Sequence, residues 1–192
     1  MLAGAVLAGG MSRRFGSNKA LEVFRGKRLI DRGIDMLRPF CDPVFVVAND
    51  LAPYYDVRAA LVRDIIPHQG PLGGIYTALF FSPHDWLLAK ATDMPFLAPE
   101  LARALIRMSG GGADLVAPVH ENYFEPLLAL YSKRCLPAIA ESLENGERQI
   151  VSFYKKVRVK TLAEEEWRPL DPEGGSFRNV NTPGDWERLQ WS

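Results

Sequence analysis

Short apolar runs that end in glycine or polar residues recur along this chain, and amphipathic segments separate them. AGAVLAG (3–9), PVFVVAND (43–50), WLLAKATD (86–93) and ADLVAPV (113–119) have the length and apolar or β-branched content of buried strands, and LVRDII (61–66) is a further candidate. Between them, KRLIDRGIDMLRPF (27–40) places Leu29, Ile30, Gly33, Ile34 and Leu37 on one helical face. GPLGGIYTALFFS (70–82) reads as a turn feeding a helix with Pro71 near its first position, and APELARALIRMS (98–109) starts in the same way with Pro99. EPLLALYS (125–132) is expected to pair with 113–119, and KRCLPAIAESLENG (133–146) reads as a helix closed by Gly146, with Pro137 in its first turn. A helix near 148–157, a strand at 157–162 and a final helix at 183–190 complete the pattern. Strands that alternate with helices predict an α/β fold, a Rossmann-like three-layer sandwich whose mainly parallel sheet is covered on both faces.

In such sheets ligands bind beyond the carboxyl ends of the strands. That rule selects Gly9 to Lys19, Asn49 and Asp50, Asp64, and Thr92 to Pro95, four groups that each sit where a strand is expected to end. The 192 residues suit one domain, read here as 1–192, with nucleotide binding up to about 110 and acceptor binding from about 111 onwards. Lys plus Arg and Asp plus Glu both number 23, so the chain lacks the basic excess of a general nucleic-acid binder. Cys41 and Cys135 form no CxxC pair, and no apolar run is long enough to span a bilayer. With no basic residue ahead of LAGAVLAGG, a signal peptide is not expected, and the protein reads as cytoplasmic, with neither nucleic-acid nor membrane partners.

The stretch GGMSRRFGSNK follows the first strand directly. Gly9, Gly10 and Gly16 permit close approach of the backbone to a ligand, and exposed N–H groups in such a loop suit phosphate oxygens. Arg13, Arg14 and Lys19 supply the countercharge. Two familiar phosphate loops do not match: five residues rather than four separate Gly10 from Gly16, and Gly9 and Gly10 are adjacent, unlike the first two glycines of G-x-G-x-x-G. Asp93 ends a buried strand ahead of Met94-Pro95 and is a candidate ligand for Mg²⁺, which takes few protein ligands beside phosphate and water.

LAGGMSRRFGSNKAL resembles the signature LAGG-x-S-x-R-M-G-x-(D)K-x-L of the nucleotidyltransferases, most closely the molybdenum cofactor guanylyltransferases. Phe15 stands where methionine is commoner, and Asn18 where aspartate is frequent. ATDMPFL is similar to the family's CDMPFL motif, whose aspartate binds the metal, with Thr92 in place of the cysteine. GPLGGI, NVNTP and GER also match family elements, so the resemblance spans nearly the whole chain. It implies a fold of the nucleotide-diphospho-sugar transferase type and the transfer of GMP from GTP to molybdopterin or its molybdenum form. Lys19, Arg13, Arg14 and Asp93 are the implied catalytic residues. Leu7, Ala8, Gly9, Gly10, Lys19, Asn49, Asp64, Gly70, Pro71, Leu72 and Asp93 are implied for the nucleotide, with Asp93 on Mg²⁺. Arg148, Asn179 and Asn181 are implied for the acceptor, and proteins of molybdenum insertion and molybdoenzyme maturation are implied partners.

Which of Asn49 and Asp64 reads the base stays open at this stage. A molybdopterin cytidylyltransferase, a sugar-phosphate nucleotidyltransferase and a non-catalytic GTP-binding maturation factor remain as alternatives. LAGG in place of LAAG, together with GPLGGI, favours guanine. His68, His84 and His120 show no ligand spacing and are expected in loops. Glu125 and the run Glu164 to Glu166 are expected to be solvated surface.

Overall fold

The computed structural model describes residues 1–8, 18–180 and 185. β1 (Ala3–Leu7) and β4 (Val44–Ala48) are buried along their whole length, which is why both read as unbroken apolar runs rather than alternating ones. β5 (Ala60–Arg63) pairs with β4, and β6 (Trp86–Ala91) lies on the other side of β1, all in parallel. β7 (Leu115–His120) and β10 (Val159–Leu162) form a second parallel pair. Between the two groups runs β9 (Leu128–Ser132), antiparallel to both β6 and β7. The sheet order is therefore β10-β7-β9-β6-β1-β4-β5, with the short β8 (Tyr123–Phe124) folded back on β7. The paired strand 125–132 is present as expected, but its longer ladder is with β6.

Helices cover both faces. α1 (Leu29–Leu37), α3 (Pro99–Arg107) and the four-residue α5 (Glu164–Trp167) bury Ile30, Ile34, Leu101, Leu105 and Trp167 against Val6, Val46, Leu88 and Val116. α2 (Gly70–Phe81) and α4 (Leu136–Glu144) bury Leu72, Ile75, Leu79, Ile139 and Leu143 on the opposite face, against Ala5, Val47, Leu87 and Tyr131. This is the three-layer arrangement that the alternation predicted. Among the described residues, no helix is long and apolar enough to cross a membrane.

Several local readings need correction. The helix expected from residue 27 starts at Leu29, because Lys27–Arg28 pair with Val23–Phe24 as the strands β3 and β2 of a hairpin. Arg25, the first residue of its turn, has φ 49° and Gly26 has φ 77°. The segment 148–157 forms a 3₁₀ helix at Ile150–Lys156 rather than an α-helix. Lys133–Cys135 is likewise a 3₁₀ turn, and α4 proper begins one residue before Pro137. His120 closes β7 instead of lying in a loop, its ring stacked at 4.8 Å on Phe177. The final helix falls mostly on residues outside those described.

Candidate active site

The carboxyl ends of β1, β4, β5 and β6 lie along one edge of the sheet, and among the described candidates Leu7, Ala8, Lys19, Asn49, Asp64 and Asp93 lie there. β1 is held at this edge by its neighbours. The Ala8 amide donates to the Val47 carbonyl at 3.0 Å, and the Thr92 hydroxyl donates to the Leu7 carbonyl at 2.9 Å. Thr92 thus ties the end of β6 to the end of β1, a role that its place in the sequence does not reveal. Tyr54 is almost fully buried, and its hydroxyl contacts both the Ala8 carbonyl (3.3 Å) and the Asn18 side chain (2.9 Å from Nδ2). One phenol therefore fastens the residues on either side of the stretch 9–17. Gly9, Gly10, Arg13 and Arg14 belong to that stretch, and Asn181 to a later one, so all five lie outside the described residues.

Asn18 also caps the 3₁₀ turn Lys19–Leu21, its Oδ1 accepting from the Ala20 amide at 3.2 Å. This turn presents Lys19 to Asp93, with Nζ 3.1 Å from Oδ2. The two residues are separated by 74 positions in sequence and meet with side chains 15% and 31% exposed. Asp93 lies in the turn two residues beyond β6, and its carbonyl accepts from the Val180 amide at 2.8 Å. That bond lays the segment carrying Asn179, itself exposed, alongside the Asp93 corner. Arg148 is exposed just beyond the end of α4.

Asp64 follows β5 and is buried, its amide bonded to the Ala48 carbonyl at 3.1 Å. Its Oδ1 is enclosed without a hydrogen-bond partner among the described residues. Burial raises its pKa above the usual carboxylate value, opposed by a hydrogen bond with the Thr77 side chain. Asn49, after β4, accepts from the His68 amide at 3.0 Å and so shapes the loop that leads into α2. That loop ends at Gly70 with φ 65°, a conformation suited to glycine, after which Pro71 and Leu72 start the helix. Packing is close at Gly74: a Cβ on it would lie 3.2 Å from Leu7 Cδ2, a tight contact, and 3.8 Å from Asp64 Oδ1. Gln69 was not singled out by sequence, yet its Oε1 is a second enclosed acceptor without a partner at this corner.

Two further residues escaped the sequence reading. Lys90 has no exposed surface, although it stands in an apolar strand. Glu125 is partly buried rather than solvated; its Oε1 accepts from the Leu127 amide at 3.0 Å, and burial raises its pKa. Glu165 and Glu166 are exposed as expected, and Glu164 is partly buried; Glu166 also accepts from the Ala163 amide (2.8 Å) and Glu164 from that of Glu121 (3.2 Å).

The arrangement brings a lysine, a partly exposed carboxylate and a corner with two enclosed acceptors, on Asp64 and Gln69, to one sheet edge. A divalent cation bound with phosphate needs only one or two protein carboxylates. Asp93 satisfies that requirement, although no group of three or more His, Cys, Asp or Glu able to hold a metal occurs among the described residues.

The chain is similar to known proteins in sequence and fold. The family profile described as a MobA-like NTP transferase domain matches residues 4–159. A molybdenum cofactor guanylyltransferase of Desulfosudis oleivorans is 37% identical over 188 residues, covering 97% of this chain and 93% of that protein. The crystal structure of molybdopterin-guanine dinucleotide biosynthesis protein A from Archaeoglobus fulgidus superposes with a TM-score of 0.85 at 31% identity, covering 99% of this chain and 97% of the other. The 2-C-methyl-D-erythritol 4-phosphate cytidylyltransferase of Thermus thermophilus shares the fold with a TM-score of 0.71 at 17% identity, covering 100% and 98% of the two chains.

Proposed function

The chain belongs to the MobA-like NTP transferase family, and we propose that its reaction is the transfer of GMP from GTP to the terminal phosphate of molybdopterin, with or without molybdenum. A phosphate oxygen of the pterin attacks the α-phosphorus of GTP in line. The new P–O–P bond forms as the bond from the α-phosphorus to the β-phosphate oxygen breaks, and pyrophosphate leaves with the electron pair. The attacking phosphate is already ionised near neutral pH, so no general base is needed, and the protein acts by positioning and electrostatics.

The observation that carries the reading is the meeting of Lys19 and Asp93 at 3.1 Å on the carboxyl edge. Asp93 would hold Mg²⁺, which when bound supplies Lewis-acid charge to the phosphate oxygens. Lys19 offers its ammonium to the same oxygens and to the leaving pyrophosphate. Arg13 and Arg14 add charge from the glycine-rich stretch, where Gly9 and Gly10 allow the backbone to approach the phosphates along with Leu7 and Ala8. Asp64 supplies an acceptor for the guanine N1–H and amino group, a reading that its position directly after β5 at the carboxyl edge supports. Cytosine offers only its amino donor, so the same carboxylate discriminates between the bases. Asn49, Gly70, Pro71 and Leu72 shape the rest of that corner. Asn179, Asn181 and Arg148 are assigned to the acceptor, with residues up to about 110 serving the nucleotide and those after it the pterin. The test is pyrophosphate release from GTP that depends on molybdopterin; none from folded protein supplied with intact pterin refutes the proposal.

A further inference from the structure

Lys90 lies near the end of β6, opposite Val6 of β1 and Leu128 of β9. It shares parity with Leu88, so its side chain enters the core between the sheet and the layer of α1, α3 and α5. No part of the residue is exposed, and Nζ has no hydrogen-bond partner among the described residues. Burial pulls its pKa down to about 7, while the charges of Asp93, Glu125 and Asp171 favour the ammonium form. These carboxylates come from three parts of the chain. Asp93 is the corner after β6 and pairs with Lys19; Glu125 precedes β9 and accepts from Leu127; Asp171 follows α5 and accepts from the Gly175 and Ser176 amides.

Packing does not explain a lysine here. Methionine would fill a similar volume without enclosing an unpartnered nitrogen, so stability alone favours the apolar residue. Lys90 does supply positive charge beneath three carboxylates, at the edge where two polyanionic substrates must meet. We propose that Lys90 is a positioning residue that offsets the Asp93, Glu125 and Asp171 carboxylates from inside the sheet, moderating cation affinity at Asp93 and keeping the site open to phosphate anions. The inference rests on the reading that Asp93 holds the divalent cation.

The charge role has a signature with opposite signs for the two kinds of ligand. Lys90 and Asp93 are three residues apart, with a turn following β6 between them, so their backbones lie within roughly 10 Å. Even at the dielectric of water, a unit charge acting on a divalent cation over that distance changes affinity about fourfold. The test compares wild type, Lys90→Met and Glu125→Gln by Mn²⁺ binding, read from the electron paramagnetic resonance of free Mn²⁺, and by pyrophosphate binding without metal, read by calorimetry. Both are done at about pH 6.5, with circular dichroism confirming the fold. Lys90→Met is expected to bind Mn²⁺ at least about fourfold more tightly and pyrophosphate more weakly. Glu125→Gln is expected to shift both in the reverse direction, whereas structural damage would weaken both ligands together. A folded Lys90→Met with unchanged or weaker Mn²⁺ affinity overturns the inference, as does a Glu125→Gln that tightens Mn²⁺. If Mn²⁺ binding survives Asp93→Asn, the site reading itself fails and the inference falls with it.

Discussion

Asp93→Asn separates the chemical and structural contributions of the Lys19–Asp93 pair. At 3.1 Å the Coulomb attraction in a surface-like dielectric is about 5 kcal/mol, most of it cancelled by desolvation and side-chain ordering. With side chains 15% and 31% exposed, the pair is partly buried, and its net worth is about 1–2 kcal/mol, somewhat above that of an exposed ion pair. Asparagine keeps the shape, and the backbone carbonyl that receives the Val180 amide is unchanged, so the segment around Asn179 stays docked. The melting temperature should fall by no more than about 4–8 °C for a chain of this size. Turnover should fall at least about a hundredfold, the scale seen when a single charge-stabilising group is removed from a transition state. Pyrophosphate release and thermal melting on the same preparation measure both. Turnover within tenfold of wild type would refute the assignment of Asp93 to the chemistry, and a collapse in melting temperature would show that the pair is mainly structural.

Asp64→Ala should raise the KM for GTP by about tenfold or more with little change in kcat, since a base contact contributes equally to substrate and transition state. It should also narrow the preference for GTP over inosine triphosphate, which lacks the amino group; an unchanged KM removes Asp64 from base reading. Asp114 links β7 to β10 and to the turn before α4, and hydrogen bonds from Arg158 and then Arg134 hold its pKa below the usual carboxylate range. The folded protein therefore binds fewer protons than the unfolded chain near pH 4, so this contribution is present above that pH and lost as pH falls further. Asp114→Asn should lower stability near neutrality and flatten the acid limb of melting temperature against pH; parallel limbs for the two proteins would contradict it.

The parts of this fold that were readable from sequence are those with unmistakable periodicity. β1 and β4 are apolar throughout, and β6 is apolar apart from Lys90, because both of their faces are covered, and Pro71 and Pro99 mark helix starts as expected. The direction of β9 was not readable, since an apolar run carries no sign of whether its neighbours are parallel. The Lys27–Arg28 strand was missed because a two-residue hairpin arm is shorter than any periodic signal. At the site, Lys19 and Asp93 were legible from their places after glycine-rich and apolar runs, and the structure brings them together. Asn18 and Thr92 looked like departures from a motif, yet one caps the Lys19 turn and the other ties β6 to β1. Lys90 was invisible for a different reason: in a sequence a lysine signals solvent, and only the completed sheet shows it enclosed.

The most direct test of the account is pyrophosphate release with Mg²⁺ and molybdopterin, comparing GTP, CTP, ATP and UTP under identical conditions. The account predicts release that requires molybdopterin and strongly favours GTP. Release with CTP at an equal or higher rate would retain the family chemistry and contradict the base assignment at Asp64. Failure with all four nucleotides, in folded protein with intact pterin, would contradict the proposed reaction itself.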